Sequence, residues 1–326
     1  MPEPELHLFT RSDLADLEIS PQEVISAVRQ AYLAYARGAS RCPTKLMMPL
    51  PDADRDAVSY SMLGYDGNVE QVGFKTSYRQ GNDNPEKYYT AISLYDDTTG
   101  MPFALMDCHR VGASRTPATT ALIAEECAKS DARSALMIGT GAQALNTLPY
   151  LLTVLPNLER LMLFGTHEVG IPATFERLRH YFPDRELELV EDVPKAVAEA
   201  DIAIAASGRA AHPKVQTGWM KPGGLLISVS SKGVDSAALS QADYALATNE
   251  GQLGITGSRF AAEDGSARID AEFPDVVAGR ALARRDESDR VFAFSSGMVI
   301  TDIPVAHALA HKAIADGRGK QVALWS

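Results

Sequence analysis

Residues Ala135 to Ala144 read Ala-Leu-Met-Ile-Gly-Thr-Gly-Ala-Gln-Ala, and this stretch constrains the fold more than any other. A short apolar run breaks into a G-x-G-x-x-A turn, and a helical pattern follows. That is the order expected where a parallel strand delivers a dinucleotide pyrophosphate to a helix N-terminus. In this reading Gly139 permits the tight turn, Gly141 lets the backbone approach the phosphates, and Ala144 allows close helix–strand contact. Thr140, Ala142 and Gln143 complete the loop, where unpaired amides and the helix dipole favour negative charge. Glycine turns between strands and helices are also common as plain structure, so the motif needs its context.

That context follows downstream. Strand patterns at 135–138, 161–164, 187–190, 202–206, 225–229 and 244–247 alternate with helical patterns near 142–155, 171–181, 193–200 and 236–241. Such a rhythm predicts an α/β domain, a parallel sheet with helices on both faces. Pro149 inside the first of these helices predicts a kink or a late start. Residues 251–289 form a charged, solvent-facing connection with one helical patch around 269–278. A last helix, about 302–317, is expected to return to the N-terminal domain.

Upstream the grammar differs. Ser20-Pro21-Gln22-Glu23 is a capping box with proline at the first helical position. Val24, Ile25, Val28, Tyr32 and Leu33 follow at helical spacing, and Gly38 supplies the stop. Between residues 45 and 107, short alternating runs separated by Asp, Asn and Gly clusters predict a mostly antiparallel or mixed sheet. Ser114-Arg115-Thr116-Pro117 reads as the start of a capped helix running to about 129, preceded by His109-Arg110 in a solvated turn.

A length of 326 residues suits two domains, and 45% hydrophobic content supplies their cores. The formal charge of -11 argues against non-specific nucleic-acid binding and a basic membrane surface, while leaving room for a local cationic pocket. Cys42, Cys108 and Cys127 have no paired spacing for zinc or a redox motif. His307 and His311 stand four apart on the last helix, a metal-compatible spacing that lacks a third ligand, so no metal is expected. No segment approaches the ~18 apolar residues of a membrane span, and the N-terminus has no apolar signal core. A cytoplasmic metabolic protein, with no nucleic-acid or membrane partner, is the expectation.

Several separate motifs then occur in a familiar order. They are Gly73-Phe-Lys75, Leu94-Tyr-Asp-Asp-Thr-Thr-Gly-Met-Pro-Phe-Ala-Leu-Met-Asp107, Ser114-Arg-Thr-Pro-Ala-Thr-Thr-Ala121, the glycine turn, Ala200-Asp-Ile-Ala-Ile-Ala-Ala-Ser207, Lys221-Pro-Gly223 and Phe294-Ser-Ser-Gly-Met-Val-Ile-Thr-Asp302. Over nearly its whole length the chain resembles the ornithine cyclodeaminase/mu-crystallin family. The resemblance implies a mixed α+β substrate-binding and dimerisation domain (1–114 with 303–326) and a Rossmann-type, doubly wound domain for NAD(H) or NADP(H) (115–302). Members act on small amino or imino acids as cyclodeaminases, dehydrogenases or ketimine reductases. The mu-crystallins also serve as cofactor-bound binding proteins.

By this resemblance Arg115 grips a substrate carboxylate, a task suited to the guanidinium fork. Lys75 stands at the reacting carbon, where an ammonium would orient the substrate and supply a proton. Pro43-Thr44-Lys45 occupies the place of the family's Pro-x-Arg, making Lys45, with Arg41 close by, the second cationic clamp. On the cofactor side the resemblance points to Thr116 for phosphate and Ser207 for the nicotinamide half, with Ser230, Lys232, Ser296 and Gly297 near the same end. After the second strand of the domain, Gly165 stands where an NAD enzyme would carry a ribose-binding acid. Thr166 and His167 favour NADP(H), Glu168 favours NAD(H), and the balance tips to NADP(H).

One departure bears on the reaction. Cyclodeaminases carry an aspartate just after the strand that follows Lys-Pro-Gly, and here that place reads Ser230-Ser231-Lys232-Gly233-Val234-Asp235. Ring closure of a diamino acid needs a base, whereas imine reduction needs a carboxylate clamp, a hydride and a proton. The expectation is therefore an imino-acid reductase or amino-acid dehydrogenase, acting on a small carboxylate-bearing substrate as a homodimer. A cyclodeaminase using a displaced Asp235 and a non-enzymatic NADP-bound binding protein are the alternatives.

Overall fold

A computed structural model describes residues 5–81, 87–208, 212–229 and 231–325. The chain divides into two compact units, residues 1–115 with 298–326 and residues 116–297.

The first unit opens with β1 (Leu6–Phe9), α1 (Arg11–Ala15) and α2 (Pro21–Ala36). The Ser20 hydroxyl accepts from Glu23 N, and Ser20 N donates to the Glu23 carboxylate at 2.8 Å, so two otherwise orphaned amides are satisfied where α2 begins. Gly38 takes φ +77° just past the helix end. Then come β2 (Leu46–Pro49), β3 (Ala57–Asp66), β4 (Gln71–Gln80), β5 (Tyr88–Asp96) and β6 (Met101–Asp107). These five strands pair antiparallel in sequence order, and β1 joins β6 in parallel, giving the expected mixed sheet.

Register fixes what each face carries. Lys75 pairs with Met62 on one side and Ile92 on the other, so it shares the inner face with Gly73 and Ser77. The opposite face carries the row Leu63, Phe74, Ser93 and Leu105. Leu63, Phe74 and Leu105 on it are exposed, as is Met48 at the sheet edge.

Helix α3 (His109–Cys127) begins five residues before the expected Ser114 start. The Asp107 carboxylate accepts from His109 N at 2.9 Å and supplies the cap, so Pro117 lies inside the helix and Arg115 well past its first turn. Arg110 does not solvate a turn, because its Nη2 donates to the carbonyl of Leu17 at 2.9 Å.

The second unit holds β7 (Ser134–Ile138), α4 (Ala142–Val154), β8 (Arg160–Phe164), α5 (Gly170–Tyr181), β9 (Glu188–Leu189), α6 (Val193–Glu199), β10 (Ile202–Ala205), β11 (Leu225–Ser228), β12 (Tyr244–Ala247), α7 (Glu250–Thr256), β13 (Ala271–Glu272), α8 (Phe273–Val277) and β14 (Val291–Phe294). All eight strands run parallel in the order β13-β12-β14-β11-β10-β7-β8-β9. The chain runs outward from β7 to β9 and then crosses back to β10 on the other side. The strand order therefore reverses at β7, the usual place for a ligand crevice in such a sheet. Helix α4 runs through Pro149. The helix expected at 236–241 is a series of turns held by single bonds such as Gln241 N to Ala237 O at 2.9 Å. Strand β14, unassigned from sequence, slots between β11 and β12.

The chain then returns as α9 (Val299–Ala315) and β15 (Lys320–Val322), which pairs antiparallel with β1. The unit boundary lies at 297/298, so Asp302 belongs to the first unit and not, as expected, to the second. Helix α9 lies so close to the sheet that only glycine fits beneath it. A Cβ on Gly73 would stand 2.5 Å from Ile303 Cγ1, and one on Gly64 would stand 2.7 Å from Val299 Cγ1. Gly73→Ala should therefore lose about 1–3 kcal/mol by overpacking, read as a lower urea midpoint. An unchanged midpoint would contradict this seating of α9.

Candidate functional site

Each unit brings together its own set of sequence-singled residues. In the first, a buried charge cluster forms around Asp302 in the first turn of α9. Its Oδ1 accepts from Lys75 Nζ at 2.7 Å and from Arg115 Nε at 2.9 Å. Lys75 comes from β4 and Arg115 from α3, and both side chains are 12% exposed while Asp302 is fully buried. Burial pushes the Asp302 carboxyl up, but Arg115 and Lys75 outweigh it and hold it below the ordinary carboxylate range. Burial pushes Lys75 down, and Asp302 outweighs that in turn, so the ammonium is held above its ordinary range. Asp302 Oδ2 has no hydrogen-bond partner.

Lys45, just before β2, is also buried. Burial, then Arg115 and Lys75, lower it to about 8. Cys108, against Lys75, is pushed up by burial to about 11 and stays a neutral thiol. Three cations thus face one carboxylate, and the surplus positive charge suits an anion. Asp302 takes only the Nε edge of Arg115, whose Nη1 and Nη2 have no partner among the described residues. Arg41 does not join them: it is exposed and donates from Nη1 to the carbonyls of Gly38 and Ser40. Asp302 is the residue that sequence reasoning missed. It stood in view as the last letter of a motif, but its pairing with Lys75, 227 positions away, leaves no local signal.

In the second unit, the ends of β7, β8 and β10 form a cleft of about 340 Å³. Among its lining residues are Gly139, Thr140, Gly141, Thr166, His167 and Ser207. Gly139 adopts φ +118°, and a Cβ there would stand 2.9 Å from Ala206 O, so the turn itself requires glycine. Gly141 is different. Its φ is -82°, and a Cβ would meet nothing within 4 Å. The protein's own backbone makes no demand for glycine at 141, whereas a ligand approaching that amide would. No side chain caps the start of α4. Nearby, Gln143 Oε1 and Ser207 Oγ are buried without a partner. Bare amides, an open glycine and orphaned polar atoms fit a dinucleotide pyrophosphate.

Gly165 has no room for a side chain, since a Cβ would stand 2.4 Å from Thr140 Cγ2. His167 Nδ1 accepts from Gly170 N at 3.0 Å, which places its proton on Nε2. The remaining expected cofactor residues do not line this cleft. Thr116 is buried, with its carbonyl accepting from Thr120 Oγ1 at 3.0 Å. Ala142 opens α4, the Lys232 carbonyl accepts from Lys214 Nζ at 2.8 Å, and Gly297 ends the unit half-buried. Ser296 is tied up inside the unit: its carbonyl accepts from Thr248 Oγ1 at 2.6 Å and its hydroxyl lies 3.0 Å from Thr256 Oγ1. Ser230 lies outside the described residues. Asp235 accepts from Ala237 N at 2.9 Å, an ordinary turn cap. No cluster of three or more metal-ligating side chains occurs among the described residues.

The model of the ornithine cyclodeaminase/mu-crystallin family matches residues 7–317. The chain belongs to this family. It is similar to the Thermococcus litoralis Δ1-pyrroline-2-carboxylate reductase, solved with NADH and L-proline, at 25% identity and a TM-score of 0.80, covering 97% of this chain and 100% of that one. An archaeal alanine dehydrogenase dimer with bound NAD gives a TM-score of 0.80 at 19% identity over 98% and 99% of the two chains. A Δ1-pyrroline-2-carboxylate reductase from Bacillus cereus is 24% identical over 93% of this chain and 96% of its own.

The buried cation makes a stability prediction possible. Between about pH 8 and the unfolded lysine value near 10.4, the unfolded chain holds a proton that folded Lys45 has lost, so stability rises with pH there. Lys45→Met should be roughly 1–3 kcal/mol more stable than wild type at pH 7 and lack that rise, as read by urea denaturation at pH 7 and 9. A less stable Lys45→Met protein would count against the assignment.

Proposed function

We propose that the chain is an NAD(P)-dependent oxidoreductase that reduces the C=N bond of a small imino acid, or oxidises the corresponding amino acid. The surplus of buried positive charge at Lys45, Lys75 and Arg115 carries this reading. Lys45 and the free edge of Arg115 bind the substrate carboxylate, with charge-assisted bonds strengthened by burial. A nicotinamide, when bound, would supply or accept the hydride at the α-carbon. In the reducing direction the C=N π pair moves onto nitrogen, which takes a proton from the Lys75 ammonium as the Lys75 N–H bond breaks. Solvent then reprotonates Lys75.

The start of α4 at Gly141 would hold the pyrophosphate, and the orphaned Ser207 Oγ and Gln143 Oε1 would hydrogen-bond the cofactor. With Gly165 barred from carrying an acid and His167 offering an Nε2–H donor, the cleft favours NADP(H) over NAD(H). A homodimer forms through the exposed apolar sheet face that carries Leu63, Phe74 and Leu105. Free, buried cysteines suit the reducing cytoplasm.

Cyclic imines, and 2-oxo acids with ammonia or methylamine, should consume NADPH and, less efficiently, NADH. Arg115→Ala should lower kcat/KM on the best substrate about 10²-fold, and unchanged turnover would sink the carboxylate clamp. For wild type, kcat/KM should fall as pH rises through about 8, where Lys45 of the unliganded enzyme loses its charge. Lys45→Arg should move that fall to higher pH.

The glycine turn has a separate test. Gly141→Val should leave the unfolding midpoint unchanged yet abolish nucleotide binding measured by fluorescence titration. Undiminished binding would mean that the backbone at 141 is not where the phosphates sit.

A further inference from the structure

Asp302 has so far served only as a counterion, but its position is more tightly determined than that role needs. It sits in the first turn of α9, at the positive end of the helix dipole. The adjoining residue Ile303 lies directly over Gly73, two residues before Lys75 on the same face of β4. The Ile303 side chain fills the space over Gly73 and leaves no room for a Cβ there, so this packing seats Asp302 beside Lys75. A single oxygen then receives cations from two further elements, Lys75 from β4 and Arg115 from α3.

We propose that Asp302 is a positioning residue for the reaction: through one shared oxygen it fixes Lys75 and Arg115 relative to each other, and it keeps the proton on Lys75 until the substrate nitrogen takes it. The inference rests on the imine reduction proposed above.

The groups facing Lys75 explain why it needs such a partner. Arg115 from α3 and Lys45 from the approach to β2 both repel its charge. Cys108, between β6 and α3, is a neutral thiol. Burial also pushes up the Cys42 thiol beside Lys45 and Asp302, and Tyr32 of α2 faces Arg115. Among the described residues, Asp302 is thus the only anion in the cluster. Without it, burial and both neighbouring cations drive Lys75 toward the neutral amine, which cannot donate to a newly formed amine. With it, Lys75 regains its proton after each turnover, because the Asp302 carboxylate 2.7 Å away stabilises the ammonium.

Titration of Lys75 by NMR of ε-13C-lysine, assigned with Lys75→Arg, tests this without turnover. In wild type the Lys75 signal should titrate above the ordinary lysine range, and in Asp302→Asn it should titrate clearly lower than in wild type. Identical titrations in the two proteins overturn the proposal whatever the imine panel shows, so its failure is distinguishable from failure of the reaction. Should the panel fail on every imine, the proton-delivery part falls even if the titrations differ.

Kinetics in the Lys45→Arg background, which removes the Lys45 limb, give the second readout. Asp302→Asn should lower kcat about 10²-fold and add an alkaline fall. KM should be unchanged or lower, because the cluster becomes more positive toward a carboxylate. A rise in KM with kcat intact, the mark of a merely loosened pocket, overturns the proposal. If Asp302→Asn does not fold, the wild-type titration decides: a Lys75 that deprotonates below its ordinary range overturns it.

Discussion

The carboxylate of Asp302 is the interaction on which the first unit depends. A charge taken out of water is costly, and a buried ion pair is sound only when geometry and partners are good. Here one oxygen satisfies two cations from strands and helices far apart in sequence, so α9, β4 and α3 must all be in place together. Removing one partner from such a buried pair costs about 3–5 kcal/mol, because the other charge stays behind unpaired. The fold tolerates this arrangement although a simple apolar core would be cheaper. The positive charge gathered at Lys45, Lys75 and Arg115 exceeds that of the one carboxylate paired with it among the described residues, which suits an anion.

The glycines of the second unit sort themselves by the same physical test. Gly139 is needed by the backbone, which turns at positive φ against Ala206. Gly165 and Gly170 are needed by packing, since both lie against Thr140. Gly141 is needed by neither. A glycine with normal dihedrals and open space beside it loses backbone entropy on folding without a structural return, and close approach of the proposed nucleotide would supply a reason.

Much of this was legible in the chain. The alternation after residue 134 and the glycine turn led to a parallel doubly wound sheet, and the broken alternating runs between 45 and 107 led to an antiparallel-rich one. Local periodicity and capping carry such information. What escaped was whatever depends on distant partners. Strand Val291–Phe294 enters the middle of the sheet after a long charged connection, and neither its period nor its neighbours in sequence reveal that slot. Ser114 looked like a helix start because Ser-x-x-Pro resembles one, whereas Asp107 caps the helix earlier. Arg41 was expected beside Lys45 only through its proximity in sequence, but its guanidinium is held by the carbonyls of Gly38 and Ser40. Lys75 and Arg115 were visible one at a time, and the carboxylate that joins them was not.

Lys45 shows how one substitution of side-chain type reshapes a site without altering its charge at neutral pH. An arginine keeps its proton under any ordinary condition and offers a planar fork. A lysine is a point charge whose proton is at risk when buried. In this cluster the risk is realised, because burial and two neighbouring cations lower it to about 8. On the proposed reading, a bound substrate carboxylate would add a negative charge to the same space and so favour the protonated Lys45. Asp302, shared between Lys75 and Arg115, keeps Lys75 from following Lys45 toward neutrality.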